Sequence, residues 1–173
     1  MMDYKLFILP LEFILGLIAW ITIYRMFWKE RLNSLDQHKK IMVLSSIHLF
    51  RYIGLVFLVG GLFPVYEEGG TLPYRLAFGD LAASITALIA IISLSNKTKY
   101  AIMLTWIFNS IGAVDLIAGV ITGFPTVYAD LGRAGSVPYV IITIYVPLML
   151  FSHYLIFHQL IKYKKPHISQ FNH

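Results

Sequence analysis

The sequence predicts an all-α integral membrane protein, a five-transmembrane-helix bundle with its N-terminus outside the cytoplasm and its C-terminus inside. Apolar residues make up 58% of the chain and charged residues only 13%, whereas soluble domains run near a quarter charged. The mean hydropathy is +0.71. Five nearly uncharged runs, at 5–27, 41–63, 75–95, 101–123 and 138–161, stand apart from short segments that hold most of the Lys and Arg. Each run can cross about 30 Å of hydrocarbon at about 1.5 Å per residue. The period-two alternation that a β-barrel requires is missing. The expectation is one membrane domain over 1–173, with no room for a soluble appendage.

The first run is read as a retained helix and not as a signal peptide. It carries Glu12, lacks a small-x-small cleavage site and ends in Tyr24, Arg25, Phe27, Trp28 and Lys29. In the second run His48 and Arg51 are three apart and share a helix face, with Ser45 one turn before and Gly54 one turn after. In the third, Asp80 and Ser84 share a face, and Gly79 beside them permits close approach. In the fourth, Thr105 lies a turn before Asn109 and Gly112 a turn before Asp115, while Gly119 and Gly123 form a small-xxx-small packing pair. In the fifth, Pro147 cannot donate a backbone hydrogen bond, so the carbonyl of Thr143 is freed and a kink is expected about two turns before His153. The connections at 64–73 and 125–138 carry Pro and Gly turn chemistry.

Charge placement sets the orientation. Lys29, Arg31, Lys39, Lys40, Lys97, Lys99, Lys162, Lys164 and Lys165 fall on one side; Lys5, Arg75 and Arg133 fall on the other, among Asp3, Glu67, Glu68 and Asp130. The positive-inside bias puts the first group in the cytoplasm. The chain carries formal charge +5, yet its basic residues are split among short loops, which speaks against nucleic acid and for a lipid bilayer. The chain contains no Cys, which excludes thiolate metal sites, thiol nucleophiles and disulfides.

Strongly polar side chains inside hydrocarbon normally face the bundle interior and mark pairing or function. They are Glu12, His48, Arg51, Asp80, Asn109, Asp115 and His153, and every helix contributes. Counting at about 1.5 Å per residue puts Glu12, Asp80 and Asp115 roughly 4–8 Å to the outer side of the midplane, with Arg51 near it. His48, Asn109 and His153 fall roughly 4–6 Å to the inner side. Arg51 offsets only one of three acids, so the others must be protonated, face water, or be joined by a cation or a protonated His. The plainer readings are an Arg51–acid pair that only fixes the fold, a headgroup-level Glu12, a core His153 and an Asn109 that binds helices together. Walker, GxGxxG, HExxH and GxSxG patterns are absent from the sequence. His153 and His158 are spaced by five, which argues against a local metal clip.

The ordered motifs Arg51-x-x-Gly54-x-x-Phe57, Leu62-x-Pro64, Gly79-Asp80, Asn109-x-x-Gly112-x-x-Asp115-Leu116 and Val146-Pro147 followed by His153 resemble an uncharacterised group of small bacterial multi-spanning membrane proteins. The resemblance runs from the second helix to the fifth and leaves the first, with Glu12, unmatched. It implies a bacterial inner-membrane protein with a shared polar core and supplies no activity. In that group the position of His48 often holds Gln, which speaks against a role that needs an imidazole there.

The reading drawn from these residues is a small-solute, proton or ion-handling membrane protein. Arg51 would be a carboxylate or anion partner, Asp80 and Asp115 proton or cation acceptors, and His153 a proton relay. The alternatives are an intramembrane enzyme acting on a lipid-like substrate, haem binding through His48 and His153, and an accessory or scaffold subunit. No cofactor is expected. Five helices are few for a lone transporter, which favours a homo-oligomer.

Overall fold

The computed structural model describes residues 5–59, 70–129 and 136–163. Expectations for Asp3, Leu62, Pro64, Glu67, Glu68, Asp130, Arg133, Lys164 and Lys165 lie outside the described residues. Five helices are long and apolar enough to cross a membrane: Phe7–Asn33, Gln37–Leu58, Leu72–Ser95, Ala101–Gly123 and Ile141–Ile161, here helices 1 to 5. No strand occurs among the described residues.

Helices 2 to 5 close into a ring, with helix 2 on helix 3, helix 3 on helix 4, helix 4 on helix 5 and helix 5 back on helix 2. Helix 1 stands outside the ring and leans on helix 5. Only 6% of its most apolar stretch is buried, against 33–44% for the other four. The approach of helices 1 and 5 depends on Gly16, where a Cβ would collide with the Thr143 carbonyl. One turn further, Trp20 Nε1 donates to the carbonyl of Ile144 at 2.9 Å. The break imposed by Pro147 takes the form of a π turn over Ile141–Tyr145, a wider winding that absorbs a missing backbone donor.

The helix boundaries differ from those expected near the basic flank. Helix 1 continues past a second π turn at Tyr24–Trp28 into an α-helical turn at Lys29–Asn33. Helix 2 then starts at Gln37 because Asp36 caps it: the carboxylate accepts from the Lys39 N–H at 3.0 Å, which satisfies one of the orphan donors of a helix N-terminus. That hydrogen bond holds the Asp36 carboxyl below the usual carboxylate range. Helix 3 ends in a Schellman motif, with Thr98 N–H on Ser93 O and Lys97 N–H on Leu94 O. Lys97 occupies the left-handed position at φ 49°, where Gly is usual.

Helix 2 departs most from expectation. It is α-helical over Gln37–Ser46 and a 3₁₀ helix over Ile47–Leu58, although such runs rarely exceed four residues. At three residues per turn, positions three apart eclipse. His48, Arg51 and Gly54 therefore stack in one line, and all three are buried. Two serines of the neighbouring helices take carbonyls of helix 2 on either side of the winding change: Ser152 Oγ donates to Leu44 O at 3.0 Å and Ser84 Oγ to Leu49 O at 2.7 Å.

The core has two apolar parts. One gathers Ile41, Leu94, Phe108 and Ile156, and the other Leu116, Val146 and Met149. Along helices 2, 4 and 5 the polar residues sit between them.

Candidate functional site

The centre of the site is the guanidinium of Arg51, which has no exposed surface. Nε donates to Asp80 Oδ1 at 2.7 Å, and Nη2 lies 2.7 Å from the same oxygen. Nη2 also donates to Asp115 Oδ2 at 2.6 Å. Nη1 donates to the carbonyl of Gly112 at 2.9 Å and faces His153 Nε2 at 3.5 Å. A guanidinium has five N–H donors, and each now has a partner. Arg51 is therefore fully engaged by the chain's own groups and has no donor left for an outside anion.

Three glycines permit this arrangement. A Cβ on Gly54 would overlap the Asp80 carboxylate, and one on Gly79 would overlap that of Asp115. A Cβ on Gly112 would press at 2.8 Å on the His153 ring and at 3.0 Å on Arg51 Nη1. Each glycine thus brings a neighbouring backbone to within contact of the cluster.

On the other side of the arginine the hydrogen bonds assign the histidine tautomers. Asn109 Nδ2 donates to the His153 carbonyl at 3.2 Å, which leaves Asn109 Oδ1 against His153 Nδ1 at 2.7 Å. The His153 proton therefore sits on Nδ1, and the Nε2 lone pair faces Arg51. Ser152 spends its hydrogen on Leu44 O, so its oxygen accepts from His48 Nε2 at 3.2 Å. His48 Nδ1, the lone-pair atom, is buried without a partner among the described residues. The two imidazoles lie against each other with centroids 4.0 Å apart and planes tilted by 38°, flanked by Phe108.

The acids, unlike the arginine, keep some exposure: 17% for the Asp80 side chain and 24% for Asp115. They face a cleft of about 60 Å³ that runs from Arg51 toward Gly123 and Ile141 between helices 2, 3, 4 and 5. Among the described residues its wall is apolar apart from Arg51, the two acids and Tyr145, whose buried hydroxyl has no partner there. That volume holds a few water molecules or one small ion. With both acids ionised the Arg51–Asp80–Asp115 cluster carries one net negative charge. Arg75 lies beyond, donating to Thr122 Oγ1 at 2.6 Å.

Six of the seven residues singled out from the sequence thus meet in one cluster. Glu12 does not join them: it accepts a hydrogen bond from Tyr139, on the short helical segment Ser136–Val140 that leads into helix 5. The plain sense of that pair is a join between the outlying helix and the ring. Tyr145 and Ser152 are additions that sequence reasoning missed; the only signal was a hydroxyl in the middle of an otherwise apolar run.

The geometry bears on the haem alternative. A porphyrin would have to lie between the two imidazoles, and rings whose centroids are 4.0 Å apart leave no such gap.

A family model described as Domain of unknown function (DUF8737) matches residues 8–161, and the chain belongs to that family. The match takes in helix 1, which the ordered motifs left out. No curated protein and no solved structure matches the chain.

Proposed function

We propose that this member of the DUF8737 family is a proton- or cation-handling membrane protein whose binding site is the Arg51–Asp80–Asp115 cluster. One observation carries the reading: two carboxylates share a single, fully engaged guanidinium, and both face the cleft. A cluster built only to fix the fold has no use for the second acid, because a net buried charge is destabilising in low dielectric. A proton or a small cation beside Asp80 and Asp115 supplies the missing positive charge, and the Tyr145 hydroxyl adds a neutral ligand. Arg51 sets the affinity: it competes with the guest for the same carboxylates, so binding stays weak enough to be reversible.

The charge asymmetry of the loops supports a bacterial inner-membrane topology with the N-terminus outside and the C-terminus inside. In that orientation the cleft opens to the outside. On its inner side the cluster passes to His153 and His48, where the unpartnered Nδ1 of His48 offers a place for an arriving proton. One membrane domain acting as a homo-oligomer fits the small size of the ring.

The test is flux in liposomes made with the purified protein and loaded with a pH-sensitive dye. With Na⁺ or K⁺ present, an imposed pH gradient should decay faster than in empty liposomes, and Asp80→Asn or Asp115→Asn should restore the slow decay. Wild-type liposomes that leak no faster than empty ones for H⁺, Na⁺ and K⁺ would refute the reading and favour a structural role for the cluster.

A further inference from the structure

The outlying position of helix 1 leaves two cavities beside its contact with helix 5. One, of about 270 Å³, lies between helices 1, 2 and 5 and is lined by apolar groups that include Trp20, Leu44 and Leu148. Water needs two to four polar partners to settle in a cavity, and Ser152, whose hydrogen is already given to Leu44, supplies almost none. Its natural filling in a bilayer is hydrocarbon. The other cavity, of about 580 Å³, lies at the basic end of helices 1 and 5. Arg25, Lys29 and Lys162 line it, with no carboxylate among the described residues of its lining. Arg25 and Lys29 stand four apart on helix 1, across the π turn that carries Tyr24. Nearby Glu30 is exposed and is not among the lining residues, and Asp36 is engaged with Lys39. Tyr24, Phe151 and Leu155 border both cavities, so the basic one and the apolar one adjoin.

We propose that this place is a binding site for one anionic phospholipid of the bilayer leaflet on the basic side. Its phosphate sits among Arg25, Lys29 and Lys162, and acyl chain fills the apolar cavity past Tyr24 and Phe151. The occupant must be amphiphilic. A free phosphate would leave the apolar space empty, and a neutral lipid would leave three cations at one spot without a counter-charge. Basic recesses between membrane helices at the headgroup level are suited to such lipids, since each Lys or Arg there favours an anionic headgroup. The lipid would also complete the packing of helix 1, which the protein by itself leaves loosely attached. The site is separate from the Arg51 cluster and does not depend on its function.

Native mass spectrometry of the full chain, released from mild detergent after incubation with equal amounts of phosphatidylglycerol and phosphatidylcholine, tests the proposal. One phosphatidylglycerol should be retained in clear preference to phosphatidylcholine. The exposed triple variant Arg25→Gln, Lys29→Gln, Lys162→Gln should weaken its retention by about a hundredfold. Leu148→Trp, which fills the apolar cavity and leaves the cations alone, should weaken retention as well, and an excess of glycerol phosphate should not displace the lipid. Equal retention of the two lipids by wild type overturns the proposal without recourse to any variant. So does displacement by glycerol phosphate, or a folded triple variant that keeps the lipid as wild type does.

Discussion

Gly79→Ala probes whether close backbone approach holds the ion cluster together. The added Cβ would occupy the place of the Asp115 carboxylate. Gly79 is in the middle of helix 3, so the backbone cannot move aside without shifting the contact with helix 4, and the carboxylate must turn away. It then loses the 2.6 Å hydrogen bond from Arg51. A charge-assisted hydrogen bond is worth about 1.5–3 kcal/mol. Alanine returns about 1 kcal/mol by its better helix propensity, so the net loss should be about 0.5–2 kcal/mol. Gly123→Ala on helix 4 is the matched control, because its Cβ would meet only a Leu76 side-chain atom at 4.0 Å. It should be neutral or slightly stabilising. The two variants should therefore differ by about 1.5–3 kcal/mol in reversible unfolding by SDS in mixed micelles, the size of the hydrogen bond. In an Asp115→Ala background the clash disappears and Gly79→Ala should do no harm, a coupling that a double-mutant cycle reads directly. Equal stability of Gly79→Ala and Gly123→Ala in the wild-type background would refute the reasoning.

Other outcomes follow from the same geometry. Arg51→Ala strands two acids and should cost about 3–5 kcal/mol, whereas the triple change of Arg51, Asp80 and Asp115 to apolar residues of similar size should cost much less; the same SDS titration compares them. Lys97→Gly relieves a left-handed backbone and should raise the unfolding midpoint by an amount equivalent to about 1 kcal/mol. Asp36 has a folded-state pKa below its unfolded one, so its contribution to stability is present above the unfolded pKa and fades as pH falls through the folded value. Asp36→Ala should accordingly unfold at a lower temperature than wild type at pH 7, and the gap should close in acid; a gap that stays constant down to pH 2 would contradict the cap.

The sequence makes the five spans legible because only long apolar runs satisfy a bilayer, and it makes the cluster legible because charge in hydrocarbon is expensive. Arg51, Asp80, Asp115, Asn109, His48 and His153 are conspicuous for that reason alone. Counting residues gives depth but not direction around the bundle, so Glu12 fell in the same layer as Asp80 although it belongs to a helix outside the ring. Which acid meets Arg51 was open for the same reason, and the answer is both. The 3₁₀ segment left a mark in the sequence. His48, Arg51, Gly54 and Phe57 repeat at strict intervals of three, and on an α-helix at 3.6 residues per turn such a series drifts around the axis. Only a winding of three residues per turn keeps it in line. The length of helix 1 was missed because Lys29 to Asn33 read as a basic loop, when their charge is compatible with an exposed final turn.

The winding of helix 2 gives Arg51 an unusual mechanical setting. A 3₁₀ helix rises about 2.0 Å and an α-helix about 1.5 Å per residue, so the twelve residues of Ile47–Leu58 stretch about 6 Å further than they would as α-helix. Rewinding any three of them to α geometry would shorten the helix by about 1.5 Å and turn everything beyond by about 60°. The segment is therefore a screw in which axial travel and rotation are geared together. Because Arg51 and Gly54 stand three apart on this thread, a single rewound turn between them would swing the Gly54 notch away from Asp80. Contact between that acid and the arginine is thus tied to the pitch of the backbone that carries them.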